Sequence, residues 1–287
     1  MPHLHHASVE SLWISVALAF VALVYLHRWL RVGWLPPKGI KGWRAGSFFV
    51  GLLLMWVGLG SPLALLDHQL LTAHMAQHLL FMTLAPPLIF LGKPWRLVPQ
   101  LVQPHRFYSI PMVHLVGMLS YPVVGWIGAT AILVLWHVPA VFALGMRLEL
   151  WHGIEQASFL VTGLLFWWPV MESSRNASKW PESSIILYLF LATLPCDILS
   201  GFLVFCDRVV YPFYLSSEPR FGLTALEDQQ CAGALMWTCV TVVYLIAGSV
   251  FAARLVSPRW SRDYSISPSV SQPMAVANNQ ERRMEIA

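Results

Sequence analysis

Charge is scarce in this chain. Asp, Glu, Lys and Arg make up 11% of its 287 residues and hydrophobic residues 57%, with a mean hydropathy of +0.61. That balance excludes an ordinary soluble domain, in which about a quarter of the residues are charged. Lysine is rarest: Lys38, Lys41, Lys93 and Lys179 all fall in connections between apolar runs, which excludes a Schiff base inside a helix bundle. The four cysteines, Cys196, Cys206, Cys231 and Cys239, form no CxxC or CxxxC pair, so a dedicated thiolate clamp is absent. There is no Walker A sequence and no glycine-rich dinucleotide fingerprint. His74-Met75-Ala76-Gln77-His78 lacks the Glu that follows the first His of a His-Glu-x-x-His metalloprotease, so no local general base stands there. Nothing in the chain proposes an enzyme.

What the chain has is long apolar runs. Seven approach the ~20 residues that cross a bilayer: 12–30, 47–66, 72–91, 121–138, 154–171, 184–205 and 233–253. The expected fold is an all-α integral membrane protein, a seven-transmembrane-helix bundle occupying residues 12–256. An N-terminal arm, 1–11, carries His3, His5 and His6, and a tail, 257–287, is rich in Ser, Pro, Asn and Gln and expected to be disordered. Met-Pro-His-Leu-His-His lacks the basic n-region of a signal peptide, so the first run is expected to be retained.

Basic residues set the orientation. Of the eighteen Lys and Arg, all but Arg147, Arg208 and Arg220 fall on one side of this arrangement. That side is the cytoplasm by the positive-inside rule, with the N-terminus outside and the C-terminus inside. The pI of 9.0 is then a topology signal and gives no reason to propose nucleic acid. Cys206 and Cys231 flank the last outer loop, where an oxidising compartment permits a disulfide; Cys196 and Cys239 read as packing thiols.

Polar chemistry collects at the outer ends of the helices. His74 and His78 are spaced i,i+4 and share one helix face, so they either share a metal ion or are two interfacial histidines bonded to backbone and water. Asp67-His68 stand just before them. Pro86-Pro87 should kink the same helix or end its regular hydrogen bonding. His137 closes the fourth helix before Pro139, His152 and Glu155 share a face at the start of the fifth, and Asp228-Gln229 open the seventh. Trp167-Trp168 suit an interfacial aromatic girdle, the stretch 95–118 a segment lying in the cytoplasmic interface, and Asp197 is an intramembrane carboxyl. Helix axes lie ~8–10 Å apart in a compact bundle, so side chains from three mouths reach one point. The expected metal ligands are His74, His78, His137 and His152, with Asp67, Glu155, Asp228, Gln229 and Met236 as supporting groups or further ligands. Imidazoles suit zinc, copper, iron or nickel; a methionine contribution favours cuprous copper.

The chain resembles the CtaG-like family of membrane proteins that assist assembly of cytochrome c oxidase. The resemblance lies in His74-Met75-Ala76-Gln77-His78-Leu79-Leu80 through Ala85-Pro86-Pro87 to Leu91-Gly92-Lys93-Pro94, and in Leu135-Trp136-His137-Val138-Pro139-Ala140. It continues in Phe159 through Gly163 to Trp167-Trp168-Pro169-Val170, and in Asp228-Gln229-Gln230 through Ala232-Gly233 to Met236-Trp237. It implies a multi-pass protein of the bacterial plasma membrane linked to delivery of copper to the haem–copper centre, with oxidase subunits and other copper chaperones as partners within the lipid bilayer. One departure is Gln156, where family members often have His. Two other readings compete. A haem-binding electron carrier needs facing histidines at matching depth, and a divalent-metal transporter needs polar residues continuing through the bundle.

Overall fold

The computed structural model describes residues 2–32, 40–61, 63–97, 121–173, 181–216 and 222–256, with side chains in the first helix from Leu12 onward. The expected tail 257–287 and most of the stretch 95–118 lie outside these residues. Among the described residues there is no strand. The helices are α1 (Pro2–Val32), α2 (Gly42–Gly60), α3 (Leu63–Leu66), α4 (Leu71–Leu79), α5 (Ala85–Leu91), α6 (Pro122–His137), α7 (Pro139–Arg147), α8 (Glu149–Ser173), α9 (Glu182–Phe205) and α10 (Ala225–Val256). Helical backbone begins at Pro2, within the stretch expected as the arm.

Among the described residues, five stretches are long and apolar enough to cross a membrane: Leu12–Arg31, Gly42–Leu66, Leu71–Leu91, Glu182–Phe205 and Ala225–Val256. A sixth arises if α6 and α7, bent by 78° at their junction, count as one broken span. The break follows from sequence. Pro139 cannot donate a backbone bond and takes the first position of α7, while Val138 before it is extended at ψ 123°, as residues preceding proline prefer. Five or six candidate spans thus stand among the described residues where seven are expected; α8, 25 residues long, is not one of them.

The lipid-facing surface is written in exposed Phe20 and Leu23 of α1, Ile198 and Phe202 of α9, and Leu245 and Ile246 of α10. The core lies between α4, α5, α6, α8, α9 and α10, around Phe81, Phe159, Phe166, Trp167, Leu203 and Met236. A smaller cluster joins Tyr25, Ile40, Phe48 and Leu97, where the Tyr25 hydroxyl donates to the Gly92 carbonyl at 2.9 Å.

Two proline effects fix how α8 meets α4. Pro86 and Pro87 have no N–H for the carbonyls four residues earlier, and the helix answers with a π-helical turn, Leu80–Leu84, before resuming as α5. The Met82 carbonyl, left over by Pro86, accepts from Trp167 Nε1 at 3.1 Å. At this contact Gly163 lets the two backbones touch, since a Cβ there would stand 2.7 Å from Met82 Cα. Trp167 is therefore 1% exposed, a core residue and not the interfacial anchor expected of it. Trp168 packs edge-on against Phe90.

Candidate metal centre

The nine-residue helix α4 begins against α10. Both carboxylate oxygens of Asp228 are used at its first turn, accepting from Leu71 N (2.6 Å), Thr72 N (3.1 Å) and Thr72 Oγ1 (2.6 Å). These satisfy backbone donors that a helix start leaves open. The start of α10 is capped separately, by a reciprocal box in which Thr224 N donates to Glu227 Oε2 at 2.8 Å and Glu227 N to Thr224 Oγ1 at 3.3 Å. Gln229 pins the preceding loop, accepting from Val210 N at 2.7 Å and donating to the Arg208 carbonyl at 3.1 Å. Asp228 and Gln229 thus position α4 and the loop and stand outside the imidazole cluster.

One helical turn apart on α4, His74 and His78 point their Nε2 atoms at one spot, 2.7 Å from each other. The third group comes from α8. Glu155 Oε1 lies 3.4 Å from His74 Nε2 and 3.3 Å from His78 Nε2. All three residues are buried, at 0%, 5% and 1% exposure. Gly145 of α7 packs directly on the carboxylate; a Cβ there would stand 2.9 Å from Glu155 Oε2. Phe142 covers His74 and Phe159 lies against His78, ring centroids 5.1 and 4.0 Å apart.

This arrangement fits a cation. Neither Glu155 oxygen has a hydrogen-bond partner among the described residues, and an ionised carboxylate buried in that state costs several kcal/mol unless a positive charge meets it. Ligand atoms of a tetrahedral site with bonds of about 2.0–2.1 Å stand roughly 3.3 Å apart. Two of the three separations already have that value, and the His74–His78 pair needs only to open slightly. The donor set, two imidazole nitrogens and one carboxylate oxygen, suits zinc, copper, iron or nickel.

His152 stands beside this cluster and faces two ways. Its Nδ1 is 3.5 Å from Glu155 Oε2 and its Nε2 is 3.1 Å from Asp67 Oδ2, with Gln156 Nε2 2.8 Å from the same Nε2. Asp67, His68 and His152 form a second group whose ligand atoms lie within 4.8 Å of one another, as do those of His74, His78 and Glu155. Burial works against the Asp67 carboxylate, yet the His152 hydrogen bond and the surrounding imidazoles hold its pKa below the usual carboxylate range. Burial likewise lowers the pKa of His68, with the Asp67 charge opposing. Buried Tyr214 donates to the Asp67 carbonyl at 2.7 Å, and buried Tyr211 to the His137 carbonyl at 3.2 Å, so the loop between α9 and α10 closes this end of the bundle.

His137 is not brought into either group. Its Nδ1 stands 2.7 Å from the Leu133 carbonyl, and its ring lines a small cavity, about 40 Å³, with His78, Met75, Met82, Met236 and Cys196. Met236 thus lies beneath the cluster. All four cysteines are free, Cys206 and Cys231 included. Spacing found the α4 pair, but it ranked Glu155 below His137 and left His68 out of the ligand set. The adjacency of Asp67 and His68 was the available signal for the latter.

The chain is 23% identical over 229 residues to an uncharacterized protein of Mycobacterium bovis and to one of Mycobacterium tuberculosis. The match covers 73% of this chain and 34% of each relative, so the chain spans about a third of the length of these curated relatives. No solved structure matches it. A family model described as cytochrome c oxidase caa3 assembly factor matches residues 20–257, taking in all of the helices that build the cluster, and the chain belongs to that family.

Proposed function

We propose that this assembly factor binds copper at the His74–His78–Glu155 cluster and assists its delivery to the haem–copper centre of the oxidase. The observation that carries the reading is the buried Glu155 carboxylate, 3.3–3.4 Å from two convergent imidazole nitrogens and without a hydrogen-bond partner among the described residues. The donor set alone does not choose between copper and zinc; membership of an oxidase assembly family favours copper, as does the layer of Met75, Met82 and Met236 beside His78. Copper is cargo here. The protein's own residues hold it, keep water from it and release it to an oxidase subunit or another copper chaperone.

In this reading α8 is the seventh span, crossing with Glu155 masked by the cluster and by Gly145. The excess of Lys and Arg in the connections at the opposite end supports a cluster facing the outer side of a bacterial plasma membrane. The test is metal analysis of detergent-purified protein after exposure to copper, comparing wild type with Glu155→Gln and His74→Ala/His78→Ala. Wild type should retain copper through gel filtration and both variants should lose it. Equal copper in all three would leave the cluster a purely structural feature.

A further inference from the structure

The His74–His78–Glu155 cluster is buried, with Phe142 against His74 and Phe159 against His78, so a bare ion needs a polar way in through neighbouring ligands. Asp67, His68 and His152 supply such a way. Their exposures form a gradient, with the side chain of His68 at 49%, His152 at 14% and Asp67 at 2%. His68 and His152 have ring centroids 5.3 Å apart, and His152 and His74 5.7 Å apart. Among the described residues, His152 is the imidazole that reaches both carboxylates, through Nε2 to Asp67 and through Nδ1 to Glu155.

We propose that Asp67, His68 and His152 form a second, surface-accessible metal site that takes a divalent ion of the copper–zinc class and passes it inward through His152. The inference rests on the reading that the inner cluster holds the cargo ion. One carboxylate and two imidazoles are the same donor types as the inner set, so an ion moves between the sites without change of preference. Bonds to Asp67 and His68 break as bonds to Glu155, His74 and His78 form. The ion keeps its oxidation state, and no electron enters or leaves. His68 is the residue that first meets the ion, because it alone of the six ligands is substantially exposed.

The experiment is cupric ion alone, titrated into and rapidly mixed with the detergent-purified full chain. Wild type should bind two ions, one tightly and one more weakly. His68→Ala and His68→Gln should both lose the weaker ion and load the tighter one at least tenfold more slowly, with its final occupancy unchanged. His27→Ala, an exposed histidine on α1, should match wild type. His74→Ala/His78→Ala should lose the tight ion and keep the weak one. Wild-type stoichiometry and loading rate in both His68 variants would overturn the entry site while leaving the inner reading intact. Two ions retained in His74→Ala/His78→Ala would instead remove the inner reading, a separate failure.

Discussion

Trp167 Nε1 donates to the Met82 carbonyl across 3.1 Å, and that carbonyl is the one Pro86 cannot serve. The bond ties α8 to the π-helical turn directly below His78, in register with the contact at Gly163. Glu155 lies eight residues from Gly163, about 12 Å along the helix, so this contact sets the height at which the carboxylate meets the two imidazoles. π-Helical turns are frequent at functional sites; this one has an identifiable origin in two prolines.

Removing the donor should therefore loosen the packing of α8 on α4. Trp167→Phe keeps most of the buried ring but leaves the Met82 carbonyl unpaired, a loss of about 1–3 kcal/mol. Thermal unfolding in detergent should show a clearly lower Tm than wild type, while Trp13→Phe, on the exposed face of α1, should shift it little.

Much of this architecture is readable from the chain. The span expected at 121–138 is the helix Pro122–His137, since prolines mark the start of α6 and of the next helix. The His74/His78 pair is legible because i,i+4 spacing is a local property. Glu155 as third donor is not local: it depends on the Trp167–Met82 and Gly163 contacts, which only packing creates. His137 shares the depth of the cluster, yet its Nδ1 stands 2.7 Å from the Leu133 carbonyl of its own helix and its ring joins neither group. Asp228 reads in the sequence as opening its own helix and as a supporting group for a metal. It caps α4 instead, a long-range bond that hydropathy and spacing do not encode.

Gly145 gives a test of how tightly Glu155 is placed. A methyl group there would meet Glu155 Oε2 at 2.9 Å and the Trp136 ring at 3.4 Å, pushing the carboxylate off the imidazoles. Gly145→Ala should weaken copper binding by roughly 10–100-fold, the usual range when groups around metal ligands are disturbed. Competition with a chelator of known affinity measures it.

The Asp228 cap predicts a different outcome. Asp228→Ala removes three acceptor contacts from the start of α4 and should cost about 1–2 kcal/mol of stability, seen as a lower Tm. Copper stoichiometry at temperatures below the transition should stay at the wild-type value. Loss of copper with an unchanged Tm would mark Asp228 as a ligand.

Orientation is open to direct labelling. With the four native cysteines replaced, single cysteines at Leu65, exposed on α3, and at Lys41, exposed before α2, should behave oppositely towards an impermeant thiol reagent added to intact cells. Position 65 should react and position 41 should not. The reverse pattern would place the cluster in the cytoplasm.

If the His74–His78–Glu155 cluster is what the protein contributes to oxidase assembly, cells carrying His74→Ala/His78→Ala should lose oxidase activity. With the variant present in the membrane at the wild-type level, oxidase subunits should be made in normal amount but activity should fall to that of cells lacking the protein. Full oxidase activity in those cells would contradict it and leave the chain a scaffold whose imidazoles play no part in assembly.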